Sequence, residues 1–145
     1  MVKLTEETVC QLAMSPFYVL YLVASEHVSP DQISERHIVR SMENGLKWKM
    51  SLSENIFELL RSNLHEFYAN FPKDYSKQGR ADWQSELLSV KKVLENVEGP
   101  PAMVDDFKDA LVSLGKFVAA GGAFRQKLDD GPMQRQAEWL AGVFS

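Results

Sequence analysis

The sequence predicts an all-α, single-domain bundle with a buried central helix. Three observations support this. First, apolar residues recur every three or four positions along most of the chain. Second, helix-start signals recur, with serine or threonine caps, prolines at the first helical position and glutamine or glutamate three residues on. Third, no second strand-like segment exists for the one strand-compatible run, Phe17 to Ala24, to pair with. At 145 residues, one domain spanning 1–145 is expected.

The first helix is expected to start after Thr5, with Glu6 and Glu7 favourably placed near its positive end. Ser15-Pro16 reads as cap and first residue of a second helix, so the first should end near Met14. Cys10 lies among apolar positions and reads as a small buried hydrophobe. The second helix, Pro16 to about His27, is apolar on every side from Phe17 to Ala24. It should therefore be buried all round, at the centre of the bundle. Ser29-Pro30-Asp31-Gln32 predicts the start of a third helix, running to Glu43 and stopped by Asn44-Gly45. Its apolar periodicity is poor, because Ile38, Val39 and Met42 share one face while Ile33 points elsewhere.

Ser51 to Glu54 reads as a capping box. From Leu52 to Phe71 the apolar spacings of 4, 3, 1, 4, 3, 1 and 3 make the clearest amphipathic helix, ended by Pro72. A fifth helix, about Ala81 to Val97, carries Trp83, Leu87, Val90, Leu94 and Val97 as a short heptad seam. This seam suits bundle packing, and it also leaves homodimerisation open. Gly99-Pro100-Pro101 breaks the chain before a sixth helix from Met103 to Ala120, which Gly121-Gly122 terminates. Ala123 to Asp130 reads as a connection. The last helix starts at Asp130-Gly131-Pro132, and its Met133, Ala137, Leu140, Val143 and Phe144 face inward.

A formal charge of −4 argues against general nucleic-acid binding, which needs a basic face. One cysteine rules out an intramolecular disulfide. The longest apolar run has eight residues, and the acidic N-terminus does not resemble a signal peptide, so a cytoplasmic protein without a membrane span is expected.

Leu22-Val23-Ala24-Ser25 parallels Phe117-Val118-Ala119-Ala120, and a polar corner and a proline-started helix follow each. With these turns the chain resembles the TerB-like (tellurite-resistance-type) all-helical domains, whose two helical hairpins each carry a Val-Ala-x-Ala-Asp-Gly turn. The resemblance implies an all-helical fold and a bacterial stress-response setting. It also implies acidic corners, but here the Asp-Gly pair is Glu26-His27 at the first turn and Gly121-Gly122 at the second.

Two constellations could carry chemistry. Glu26, His27, Asp31 and Glu35 combine oxygen and imidazole donors that would suit a divalent metal, with Asp31 and Glu35 one turn apart on one helix face. The plainer reading is dipole-complementing acids in water. No other cofactor is implied. Arg36, Arg40, Lys47, Trp48 and Lys49 form a basic-aromatic cluster able to dock a phosphate, a nucleic acid end or an acidic partner. Its plainer reading is a solvated face with Trp48 tucked under the loop. Asp105, Asp106, Asp109, Asp129 and Asp130 could make an acidic patch or simply open helices. His65 is expected in solvent. No serine triad, phosphate loop, dinucleotide glycine motif or Cys-x-x-Cys occurs. The expected function is therefore a non-catalytic interaction module with a protein partner. The alternatives are a metal-dependent protein or enzyme using residues 26–35, and a dimerising or partner-binding helical protein.

Overall fold

Pro16 does not end the first helix. In the computed structural model, which describes residues 5–71, 80–127 and 131–145, helix α1 runs unbroken over Glu6–Ala24. A proline inside a helix removes the amide that should bond the carbonyl four residues back. That carbonyl belongs to Leu12, and the hydroxyl of Ser15 donates to it at 2.6 Å, with Ser15 fully buried. Ser15-Pro16 is thus a mid-helix pair in which a side chain replaces the missing backbone donor, not a cap and a fresh start. Thr5 caps the helix as expected, accepting from the Thr8 amide at 3.1 Å.

The merged helix is the core of the fold. From Leu12 to Ala24 every side chain is buried except Met14 and Tyr18. Helices α2 (Glu35–Asn44), α3 (Ser51–Ser62), α5 (Arg80–Glu95), α6 (Pro101–Ala119) and α7 (Gly131–Val143) all pack against it. At 19 residues, α1 is long and apolar enough, by length and composition, to cross a membrane. Within the fold, 61% of that apolar stretch is buried. Cys10 is exposed, contrary to expectation. Burial along α1 begins only at Leu12, past Cys10 and Gln11.

Phe71 receives the aromatic side of α1. Its ring centroid lies 5.2 Å from Phe17, 4.8 Å from Tyr21 and 5.7 Å from Tyr18. Burial pushes the Tyr21 phenol up to about 12, with a smaller contribution from Tyr68, so it stays neutral at physiological pH.

The amphipathic segment from Ser51 to Phe71 is two helices. Asn63 has φ −125° and ψ 23°, and its side-chain amide donates to Leu59 O at 2.9 Å. An asparagine side chain that competes for helix carbonyls can end a helix without disturbing the apolar pattern. Helix α4, Leu64–Asn70, restarts at once. The merger at Pro16 and this division compensate, so seven α-helices and no strand are found among the described residues, as an all-α bundle requires.

The start of α3 also differs from the expected capping box. Ser51 is already helical and Met50 occupies the cap position without a side-chain bond. The anchoring comes from α6: the Asp106 carboxylate accepts from the amides of Lys49 at 2.9 Å and Met50 at 3.1 Å. The third predicted helix is shortened too. Ser29 leads into a 3-10 turn, Pro30–Gln32, then buried Ile33 is extended (φ −81°, ψ 106°) and Ser34 caps α2.

The Trp83 seam is filled within the chain. Trp83, Leu87, Val90 and Leu94 are buried in the core that α5 shares with α1. Gln11 Nε2 also donates to Ser89 Oγ at 2.8 Å, and Tyr21 lies 6.2 Å from Trp83. In this fold the seam is therefore not available as a dimer interface.

Asp106→Ala is expected to lower stability by about 1–2 kcal/mol, because two amides lose a charged acceptor at a partly exposed site. Exposed Asp105→Ala should change it by less than about 0.5 kcal/mol. Urea unfolding of both variants separates a specific clamp from general loss of acidic charge.

Candidate functional site

Two helix ends meet at one end of the bundle. α1 finishes at Ala24, where the Ser25, Glu26, His27 and Val28 amides fold back onto the carbonyls of Tyr21, Val23 and Ala24. α6 finishes at Ala119, and Gly121 takes the left-handed conformation (φ 90°) that stops it. A 3-10 turn, Gly122–Phe124, follows. Each half thus has the order helix, 3-10 turn, helix. Val19 of α1 packs beside Gly115 of α6, near the ends of both helices. The corners touch: the rings of His27 and His37 lie 5.4 Å and 4.9 Å from Phe124, and Arg40 Nη1 donates to Ala123 O at 2.6 Å.

Close packing of α2 on α6 fixes this arrangement. Gly45, at the end of α2, would place a β-carbon 2.7 Å from the Ser41 carbonyl oxygen and 2.9 Å from Leu114 Cδ1, so a larger residue forces a shift there. Its carbonyl accepts from Ser113 Oγ at 2.9 Å. At the other end of α2, Ser34 and His37 cap each other. Ser34 N donates to His37 Nδ1 at 3.0 Å, and His37 N donates to Ser34 Oγ at 3.3 Å. The imidazole must be neutral at Nδ1 to accept. Burial, then the charges of Arg40 and Arg36, hold its pKa below the ordinary histidine value.

The four residues expected to bind a metal do not converge. Glu26 Oε1 accepts from Gln136 Nε2 at 3.2 Å, and Gln136 Oε1 in turn accepts from Gln84 Nε2. His27 lies against Phe124. Asp31 is exposed on the 3-10 turn. Glu35 lies 3.4 Å from His65 Nδ1, on α4. The expectation failed because the chain is extended at Ile33, so Asp31 and Glu35 do not share a helix face. Among the described residues no group of three or more histidines, cysteines, aspartates or glutamates could hold a metal ion.

The basic-aromatic cluster divides in two. Arg36 and Arg40 line a cleft of about 340 Å³ on α2, opposite Arg125. Trp48 is half-buried 5.2 Å from Phe57, and the cation above its ring is Arg61, at 5.9 Å. Lys47 and Lys49 are exposed on the same connection. The acidic patch also divides, because Asp106 is committed to the Lys49–Met50 amides, and Asp129 and Asp130 lie outside the described residues. His65 is exposed as expected.

Sequence reasoning missed Arg125, the one described non-glycine residue with positive φ (52°). Nothing in its residue type signals that conformation. It also missed a groove of about 820 Å³ between the N-terminal half of α1 and α3–α4, where exposed Cys10 lies among Val9, Met14, Leu59 and Phe67. No family model, curated protein or solved structure matches the chain.

Stability should fall as pH falls through about 6.5, where the unfolded histidine protonates and the folded His37 resists. His37→Gln keeps a capping acceptor without a titrating group. It should therefore be less sensitive than wild type to acidification from pH 7.5 to 5.5, as read by thermal melting.

Proposed function

We propose that the chain is a non-catalytic interaction module that takes a protein partner at the face where the two corners meet. The observation that carries this reading is the contact between the corners. His27 and Phe124 pack together, and the ends of the two longest helices fix both. Exposed Arg36 and Arg125 line one cleft, and half-buried Phe124 directly precedes Arg125. Arginines and aromatics on a rigid base are the residue types that carry binding energy at protein interfaces. The occupied Trp83 seam favours a different chain over a second copy as the partner. The Val-Ala turns, similar to those of TerB-like domains, add a bacterial cytoplasmic setting and a stress-response role to this reading.

A photoreactive residue in place of Arg36 should trap a discrete protein adduct in cells. The same residue in place of exposed Glu86, on α5, should not. Adducts of equal yield at both positions, or none at position 36, would contradict the proposal.

A further inference from the structure

The cleft between α2 and the second corner gathers Arg36, Arg40 and Arg125, with Glu43 on its rim. Among the described residues, three guanidiniums against one carboxylate make it locally cationic in a chain of net charge −4. Like charges gathered around a concave surface raise one another's energy unless an anion shares them. Their field already reaches His37, which both α2 arginines disfavour as a cation.

Arg125 is the informative member. At φ 52° a β-carbon crowds the backbone, and glycine or asparagine would sit there at lower cost. The chain instead places its longest cation at this strained position. Strain of this kind concentrates at sites that use it. The turn brings Arg125 to the cleft wall just past Ala123, whose carbonyl fixes Arg40. Arg40 thus commits one N–H to the fold, and its remaining donors and full charge are left beside the cleft. Arg36 is exposed one turn earlier on α2.

The volume, about 340 Å³, lies at the small end of ligand sites and suits a phosphoryl group with a few attached atoms rather than a large cofactor. Forked guanidinium donors match the terminal oxygens of a phosphate, and three positive charges match a dianion better than a single carboxylate. We infer that this cleft binds a phosphate monoester dianion, with Arg36 and Arg125 supplying paired donors and Arg40 held as the third charge. The inference rests on the cleft alone and stands whether or not the interaction-module reading holds. The phosphate could belong to a phosphorylated side chain or to a small free phosphate, and the test separates the two.

Isotope-labelled protein is titrated with inorganic phosphate at constant ionic strength, with chloride as the control, and backbone amide shifts are followed by NMR. Saturable shifts are expected at Gly122 to Gln126 and at Arg36. Arg125→Gly should weaken phosphate binding about tenfold, the effect of losing one charge-assisted pair. Its melting temperature should stay level or rise, because glycine accepts the positive φ. Arg36→Gln should weaken binding comparably without touching the strained residue. A phosphoserine peptide that binds more tightly than phosphate, while its serine counterpart does not bind, identifies a phosphorylated side chain as the source. Equal affinity for the peptide and free phosphate identifies a small phosphate. No saturable response beyond chloride, or wild-type phosphate affinity in either variant, overturns the inference.

Discussion

The fold depends on one hydrogen bond, from the Ser15 hydroxyl to the Leu12 carbonyl. A proline inside a helix costs about 3 kcal/mol, in part because it leaves a carbonyl without its donor. In the dry centre of a bundle that carbonyl has no water to turn to. Ser15 supplies the donor from the adjacent residue, and α1 continues for two more turns. Only a continuous α1 can carry Leu12 and Ala13 at one end and Phe17 to Ala24 at the other into the same core. All the larger helices then pack around it.

The same continuity positions the proposed binding face. Because α1 is continuous through to Ala24, the corner that follows it meets the corner after α6 across His27 and Phe124. α2 is seated on α6 by Gly45 and tied to the second corner by Arg40, so its arginines face Arg125. The polar chain Gln84–Gln136–Glu26 ties α5 and α7 to the first corner. Both corners are therefore rigid for reasons that lie elsewhere in the bundle. A binding face built this way loses little conformational entropy when it is occupied.

The parts of the fold legible in the sequence were those fixed by local chemistry. Phe17 to Ala24 is apolar all round and is buried apart from half-buried Tyr18. Gly121 stops α6 at a positive φ that suits glycine, and α2 ends at Asn44-Gly45 with Gly45 still at a negative φ. The failures share a cause, which is that one local pattern served two structures. Ser-Pro is the same dipeptide at a helix start and in a helix whose serine repairs the proline. Asn63 ends α3 without interrupting the apolar spacing. Asp31 and Glu35 have helical spacing but are separated by an extended Ile33. The Asp106 clamp joins residues 57 apart in sequence, and no local rule reaches that far. In the candidate site, Arg36 and Arg40 were found by their spacing, whereas Arg125 entered only through tertiary placement and a strained backbone.

The coupling between Ser15 and Pro16 is measured directly by a double-mutant cycle in urea unfolding. With Pro16 present, Ser15→Ala should cost about 1–3 kcal/mol, because it strands a buried carbonyl. With Pro16→Ala, the new amide can bond Leu12 O, and the same change should cost well under about 1 kcal/mol. An equal cost in both backgrounds would mean that Ser15 acts through packing alone, and that something else lets α1 pass through Pro16.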